Sequence, residues 1–306
     1  MSKVIRIGTR DSELALWQAN LVKNKLEALG YETVLVPIKS TGDIILDQPL
    51  YELGITGIFT KTLDVAMIQG QIDIAVHSMK DVPTQLPKGM VQTAVLTRAS
   101  STDILVYAPH QKLIPSNGIL ATGSLRRKAQ WLSKYPDYIM VDLRGNVNTR
   151  LNKLHHSNWV GAIFAQAGLE RIQLLPNQYE VLDWMIPAPA QGAMMVVAME
   201  NDSYSMEATQ KLNDQNTQIC TWVERQFLRV LEGGCTAPIG CLAEIKKDDL
   251  IVKAGLFSLD GSKKVLLDKS TKLTNYQNFG KEMAEEVLQM GGKEILDGFA
   301  KWKKDV

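Results

Sequence analysis

From Val4 to Met199 the chain alternates between two rhythms of hydrophobic and polar positions. VIRIG, ETVLVPI, IDIAVHS, VQTAVLT and DILVY read as strands, the third of them with an unbroken apolar centre at Ile74-Ala75-Val76, as in a strand buried on both faces. Between the first two, LALWQANLVKNKLEAL follows Ser12, places Leu14, Trp17, Leu21, Val22 and Leu29 at helical spacing, and stops at Gly30. IFTKTLDVAMIQG is a second helix, ahead of IDIAVHS. The pattern then restarts with GILAT, YIMVDL and WVGAIFA as strands, SLRRKAQWLSKY, NVNTRLNKLHH and QAGLERI as helices, and AMMVVAME as a closing strand.

Strands alternating with helices predict an α/β fold with largely parallel sheets covered on both faces. The chain crosses between two such lobes twice, so residues 1–97 together with 198–216 form the first, and residues 98–197 the second. Two lobes joined this way leave a central cleft where carboxyl ends of strands meet amino ends of helices. Residues 217–306 differ in character: a helix from about Thr217 to Leu231, a break at EGGCTAPIG, three strands (CLAEI, LIVKAGLF, KVLLDK) and two helices parted by Gly291-Gly292. This predicts a small α+β domain.

Charge narrows the partners. Lys+Arg 34 against Asp+Glu 33 lacks the basic excess of a nucleic-acid or membrane-surface binder. No segment reaches the apolar length of a span or a signal peptide, so the expectation is a cytoplasmic protein. Cys220, Cys235 and Cys241 match neither a disulfide framework nor a zinc site, and no metal is expected. No heptad pattern of a coiled coil is visible.

Within the basic residues, only ten are arginine and none follows Arg229, although twelve lysines do. The arginines gather at strand-to-helix junctions. ATGSLRRKAQ, residues 121–130, ends a strand at Thr122, turns at Gly123, and offers Ser124 as a cap, with Arg126 and Arg127 in the first helical turn. Cations there oppose the helix dipole, which suggests an anion offsetting them. DLRGNVNTRL repeats the device with Arg144, Gly145, Asn146 and Arg150; AGLERI carries Arg171, and GTRDSE carries Arg10 and Ser12. Guanidinium forks grip carboxylates or phosphates with paired hydrogen bonds, so the expected ligand is polyanionic. Neither a Walker A motif nor GxGxxG is present, which argues against a nucleotide. VHSMKDVPT, residues 76–84, sets Ser78, Lys80 and Asp81 in a turn after a buried strand. In LEGGCTAPIG, two glycines precede Cys235, a thiol placed to act as nucleophile or tether.

VHSMKDVP, GSLRRKAQ, LRGNVNTRL, AGLER, PAPAQGA and LEGGCTAPIG occur in the order found in the hydroxymethylbilane synthase (porphobilinogen deaminase) family, which the chain resembles from Ile5 to at least Gly240. The resemblance implies two lobes like type II periplasmic binding proteins plus a small third domain. It implies stepwise condensation of four porphobilinogen units with loss of ammonia, on a dipyrromethane cofactor joined by thioether to Cys235. By matching positions, Asp81 would be the catalytic carboxylate. Ser78, Lys80, Thr122, Ser124, Arg127 and Arg150 would hold the cofactor, and Arg10, Ser12, Arg126, Arg144 and Arg171 the substrate or lengthening chain. The chain departs from the family pattern at Thr56, where a lysine is usual before Phe59, at Thr62 in place of glutamate, at Ala190 in place of glycine in PAPAQGA, and in ATGSLRR. The competing readings are a non-catalytic module for a polycarboxylate and a transferase for phosphorylated substrates.

Overall fold

The computed structural model describes residues 3–39, 60–231 and 237–305; Cys235, Thr56 and Phe59 lie outside them. The described chain packs into two compact units, one of residues 3–39, 60–99 and 192–219, the other of 100–191, 220–231 and 237–305.

In chain order the elements are β1 (Ile5–Arg10), α1 (Glu13–Ala28), β2 (Thr33–Ile38), α2 (Lys61–Ile68), β3 (Ile74–Ser78) and β4 (Met90–Leu96). In the other unit follow β5 (Asp103–Tyr107), β6 (Gly118–Ala121), α3 (Leu125–Lys134), β7 (Tyr138–Val141), α4 (Val147–His155), β8 (Gly161–Ala165), α5 (Gln166–Arg171) and β9 (Tyr179–Val181). The chain then returns through β10 (Met194–Met199), α6 (Ser203–Gln210) and α7 (Gln215–Val230). It ends in β11 (Ile239–Lys246), β12 (Asp249–Phe257), β13 (Lys264–Lys272), α8 (Phe279–Val287) and α9 (Lys293–Asp305).

The two larger sheets share one topology. Strand order is β2-β1-β3-β10-β4 in the first and β7-β6-β8-β5-β9 in the second. In each, four of the five strands share one direction, and the remaining one, β10 or β5, runs against them and pairs antiparallel with both its neighbours. Both units thus carry an α/β sheet of the same strand order, as two similar lobes require. The sheets are thus largely parallel in direction, as the alternation of strands and helices suggests, with a single reversed strand in each that an apolar run alone does not reveal. In both sheets the antiparallel strand is the one that enters from the other half of the chain.

The first sheet's core joins Ile5, Ile7, Ile74, Val76, Ala94, Leu96, Met194 and Val196 to Ala19, Val22 and Leu26 of α1. Each large apolar side chain buried here contributes about 1.5–3 kcal/mol. The inward face of α1 is Ala15, Gln18, Ala19, Val22 and Leu26, whereas Trp17 and Leu29 are exposed. The helix is thus turned from the orientation its largest residues suggest, and its alanines meet the sheet.

In the second unit the antiparallel β11-β12-β13 sheet shares a core with α7, α8 and α9, and Leu125 of α3 joins it. Glu224 on α7 is fully buried; its carboxylate accepts the Ala190 N–H at 2.6 Å and the Ala243 N–H at 2.7 Å. Ala190 sits at φ 62°, left-handed backbone that costs an L-residue about 1–2 kcal/mol. Ala190→Gly should relieve that strain but give back about 0.4–1 kcal/mol of chain entropy. The expected outcome is a melting temperature raised by ~1–3 °C. A lower one would show that packing of the Ala190 methyl outweighs the strain.

Candidate active site

Three parallel strands of the second sheet deliver the arginines. β6 ends at Ala121, and the Thr122 N–H continues the ladder to the Val141 carbonyl at 2.9 Å. Gly123 follows because a Cβ there would lie 2.5 Å from the Leu143 carbonyl oxygen. Ser124 caps α3, its hydroxyl accepting the Arg127 N–H at 3.4 Å. After β7, Asn146 caps α4 by accepting the Thr149 N–H at 2.9 Å, and Arg150 Nε donates to the Gly145 carbonyl at 2.7 Å. After β8, the one-and-a-half turns of α5 end at Arg171. Thr122, Ser124, Arg126, Arg127, Arg144, Arg150 and Arg171 therefore all follow the carboxyl ends of adjacent strands, as their junctions suggest.

Their environments differ from the expectation of open guanidinium groups. Arg126, Arg127 and Arg144 are buried, at 3%, 5% and 6% exposure. Burial holds Arg126 below its usual range despite the pull of Asp103, and Arg127 adds to the effect. Burial likewise lowers Arg144 against the attraction of Asp142, and lowers Arg171 to about 10 against Glu170. Each of these groups loses more hydration than its neighbouring carboxylate returns, a deficit that a ligand carboxylate offsets. The carboxylate facing Arg126 and Arg127, Asp103, opens β5 and is fully buried. Sequence reasoning missed it, and missed Gln191, whose amide donates to Asp103 Oδ1 at 2.8 Å.

The remaining residues belong to the first unit. Arg10 ends β1 and Ser12 holds the capping position of α1 without a side-chain capping bond. β3, the neighbour of β1, ends at Ser78, whose hydroxyl accepts from Gln18 Nε2 at 2.8 Å. Met79, Lys80 and Asp81 form a single 3₁₀ turn, fixed by the Met79 N–H on the Ala193 carbonyl at 3.0 Å. Met79 is buried, while Lys80 and Asp81 are half-buried, so the turn is pinned by its apolar member and presents its charges. Just before it, burial, reinforced by the charge of Arg10, pushes His77 down to about 4.

That shift has a direction. His77 stays neutral in the fold but takes a proton in the unfolded chain below 6.5, so stability is intact above that pH and declines toward about 4. The expected loss approaches ~3 kcal/mol. Thermal melts across this window should show it, and His77→Gln should flatten it; an unchanged slope in the variant would exclude His77 as its source.

Among the described residues, no group of three or more His, Cys, Asp or Glu is placed to hold a metal ion, and no helix is long and apolar enough to cross a membrane. The strand ends of the second sheet therefore carry guanidinium groups that burial has stripped of part of their hydration. A family model described as "Porphobilinogen deaminase, dipyromethane cofactor binding domain" matches residues 5–207, and one described as "Porphobilinogen deaminase, C-terminal domain" matches residues 218–289. The chain belongs to the porphobilinogen deaminase family. It is 43% identical over 300 residues to the porphobilinogen deaminase of a Nitratiruptor species, covering 95% of this chain and 96% of that one. To that of Campylobacter concisus it is 39% identical over 302 residues, covering 96% and 97%. Among solved structures it is similar to the methionine-binding protein MetQ, with 14% identity and a TM-score of 0.44 over 68% of this chain and 89% of that one.

Proposed function

We propose that the chain is a hydroxymethylbilane synthase, a transferase that joins four porphobilinogen units head to tail with loss of ammonia to give linear hydroxymethylbilane in tetrapyrrole biosynthesis. The observation that carries this reading beyond the family match is the set of desolvated arginines at adjacent strand ends, with Arg171 lowered to about 10. Every porphobilinogen unit bears an acetate and a propionate, the groups such arginines accept.

The residues present fit a dipyrromethane cofactor, itself a polycarboxylate. The buried Arg126 Nε has no hydrogen-bond partner, and burial outweighs the attraction of nearby carboxylates at Arg126, Arg144 and Arg171. When bound, the cofactor supplies the pyrrole carbon to which the first substrate unit is joined. In this reading Cys235 carries it by thioether, Ser78, Lys80, Thr122, Ser124, Arg127 and Arg150 hold its carboxylates, and Arg10, Ser12, Arg126, Arg144 and Arg171 hold substrate carboxylates. Asp81 faces the substrate pyrrole N–H, stabilises the positive charge that develops as ammonia departs, and carries protons to the leaving amine and from the newly bonded carbon. Residues 1–97 with 198–216, 98–197 and 217–306 act as three domains of a cytoplasmic monomer that needs neither nucleic acid nor membrane.

Purified protein given porphobilinogen should release ammonia and yield a linear tetrapyrrole. Its intact mass should exceed that of the polypeptide by a dipyrrole. Binding of porphobilinogen without ammonia release would instead indicate a non-catalytic polycarboxylate module.

A further inference from the structure

Arg126 and Arg127 are sequence neighbours in the first turn of α3, yet both reach one carboxylate that precedes them by more than twenty residues. Arg127 Nε and Nη2 donate to Asp103 Oδ1 at 3.0 and 2.7 Å, while Arg126 Nη2 forms an ion pair with Oδ2 at 2.7 Å. The far prong of each fork is tied to backbone: Arg127 Nη1 to the Ile163 carbonyl at 3.0 Å, and Arg126 Nη1 to the Ile186 carbonyl at 2.7 Å. Two amides brace this frame. Gln191 Nε2 bridges Asp103 Oδ1 at 2.8 Å and the Ser101 carbonyl at 2.7 Å. Gln130 accepts the Ile186 N–H and donates to the Ile186 carbonyl, both at 2.8 Å. Both prongs of both guanidinium groups are therefore fixed, in a region with almost no exposure to water.

The charge does not balance. Two guanidinium groups face the one carboxylate, Arg126 Nε has no hydrogen-bond partner, and the surplus sits at the amino end of α3, whose dipole adds to it. Ser124 and Lys128 on that first turn are half-exposed, so the surplus is open to a ligand on that side. We propose that Asp103 is a positioning residue for the carboxylate-binding site. It orients both forks and cancels one of their two charges, leaving the other for an acidic group of the pyrrole ligand at the start of α3. This deepens the functional reading above and rests on it.

Asp103→Asn separates positioning from simple attraction, because the two predict opposite signs. The variant keeps the shape and one acceptor oxygen but leaves two uncompensated positive charges. Attraction alone would then bind a polycarboxylate more tightly, whereas lost orientation binds it more weakly. Wild-type and variant proteins, prepared without cofactor, are incubated with porphobilinogen, and covalent uptake is followed by intact mass at a temperature where both are folded by circular dichroism. Uptake is expected to slow by about 10- to 100-fold. In loaded protein, KM should rise by a comparable factor while kcat changes by only ~3-fold. Uptake and KM equal to wild type with only a lowered melting temperature would overturn the proposal, as would faster uptake. If Asp103→Asn does not fold, Gln191→Leu decides in the same way: it removes the brace but no charge, and should raise KM and slow uptake several-fold with kcat held. No uptake by the wild-type protein would overturn the functional reading itself, and with it this proposal.

Discussion

Asp81→Asn is expected to slow ammonia release from porphobilinogen by about 10²–10³-fold, the usual cost of losing one preorganised group that meets charge in the transition state. Asparagine keeps the shape of the side chain but neither stabilises a cationic pyrrole nor exchanges a proton. The fold should tolerate the change. The turn is held by Met79 N–H on Ala193 O, by Val82 N–H on Met79 O at 3.2 Å and by Gln18 on Ser78, none of which uses the Asp81 carboxylate. Melting should therefore shift by less than the equivalent of ~0.5 kcal/mol. Ammonia release near the wild-type rate would remove Asp81 from the chemistry.

Cys235→Ser should give protein whose intact mass is that of the bare polypeptide, with no pyrrole colour and no product. The other two thiols are poor substitutes. Cys220 is 7% exposed on α7 and Cys241 is fully buried in β11, both within the core of the β11-β12-β13 sheet and its helices. A buried thiol in apolar surroundings resists ionisation, and the thiolate is the nucleophile. Persistence of the adduct in the variant would move the tether to one of them and would require that core to open.

Much of the fold is legible in the sequence because each strand and helix is marked locally. DILVY, GILAT and IDIAVHS are apolar runs of strand length, and Ser124 and Asn146 announce the helices they cap. Two elements escape this reading. The three residues of β9 are too few to show a rhythm, and α6, SYSMEATQ, buries only Ser205, Ala208 and Thr209. The arginines are legible as a group, but their partner is not. Two cations in the first turn of α3 suggest an anion supplied from outside, and the chain's own Asp103 supplies the nearer half of that compensation. Nothing local distinguishes Asp103 from any aspartate opening a strand. Only folding brings β5 beside β8 and closes the distance between Asp103 and α3.

The position of β10 between β3 and β4 has a consequence for synthesis on the ribosome. Among the described residues β4 pairs in its sheet only with β10, which is made almost a hundred residues later, after the whole second sheet. At elongation speeds of about 5–20 residues per second, β3 and β4 emerge and wait roughly 5–20 s with unpaired edges. The second sheet has no such delay, because its antiparallel strand β5 is the first to be translated. The nascent chain thus completes its second lobe before its first, and the interval before β10 appears is when it most needs shielding from its neighbours on the same polysome.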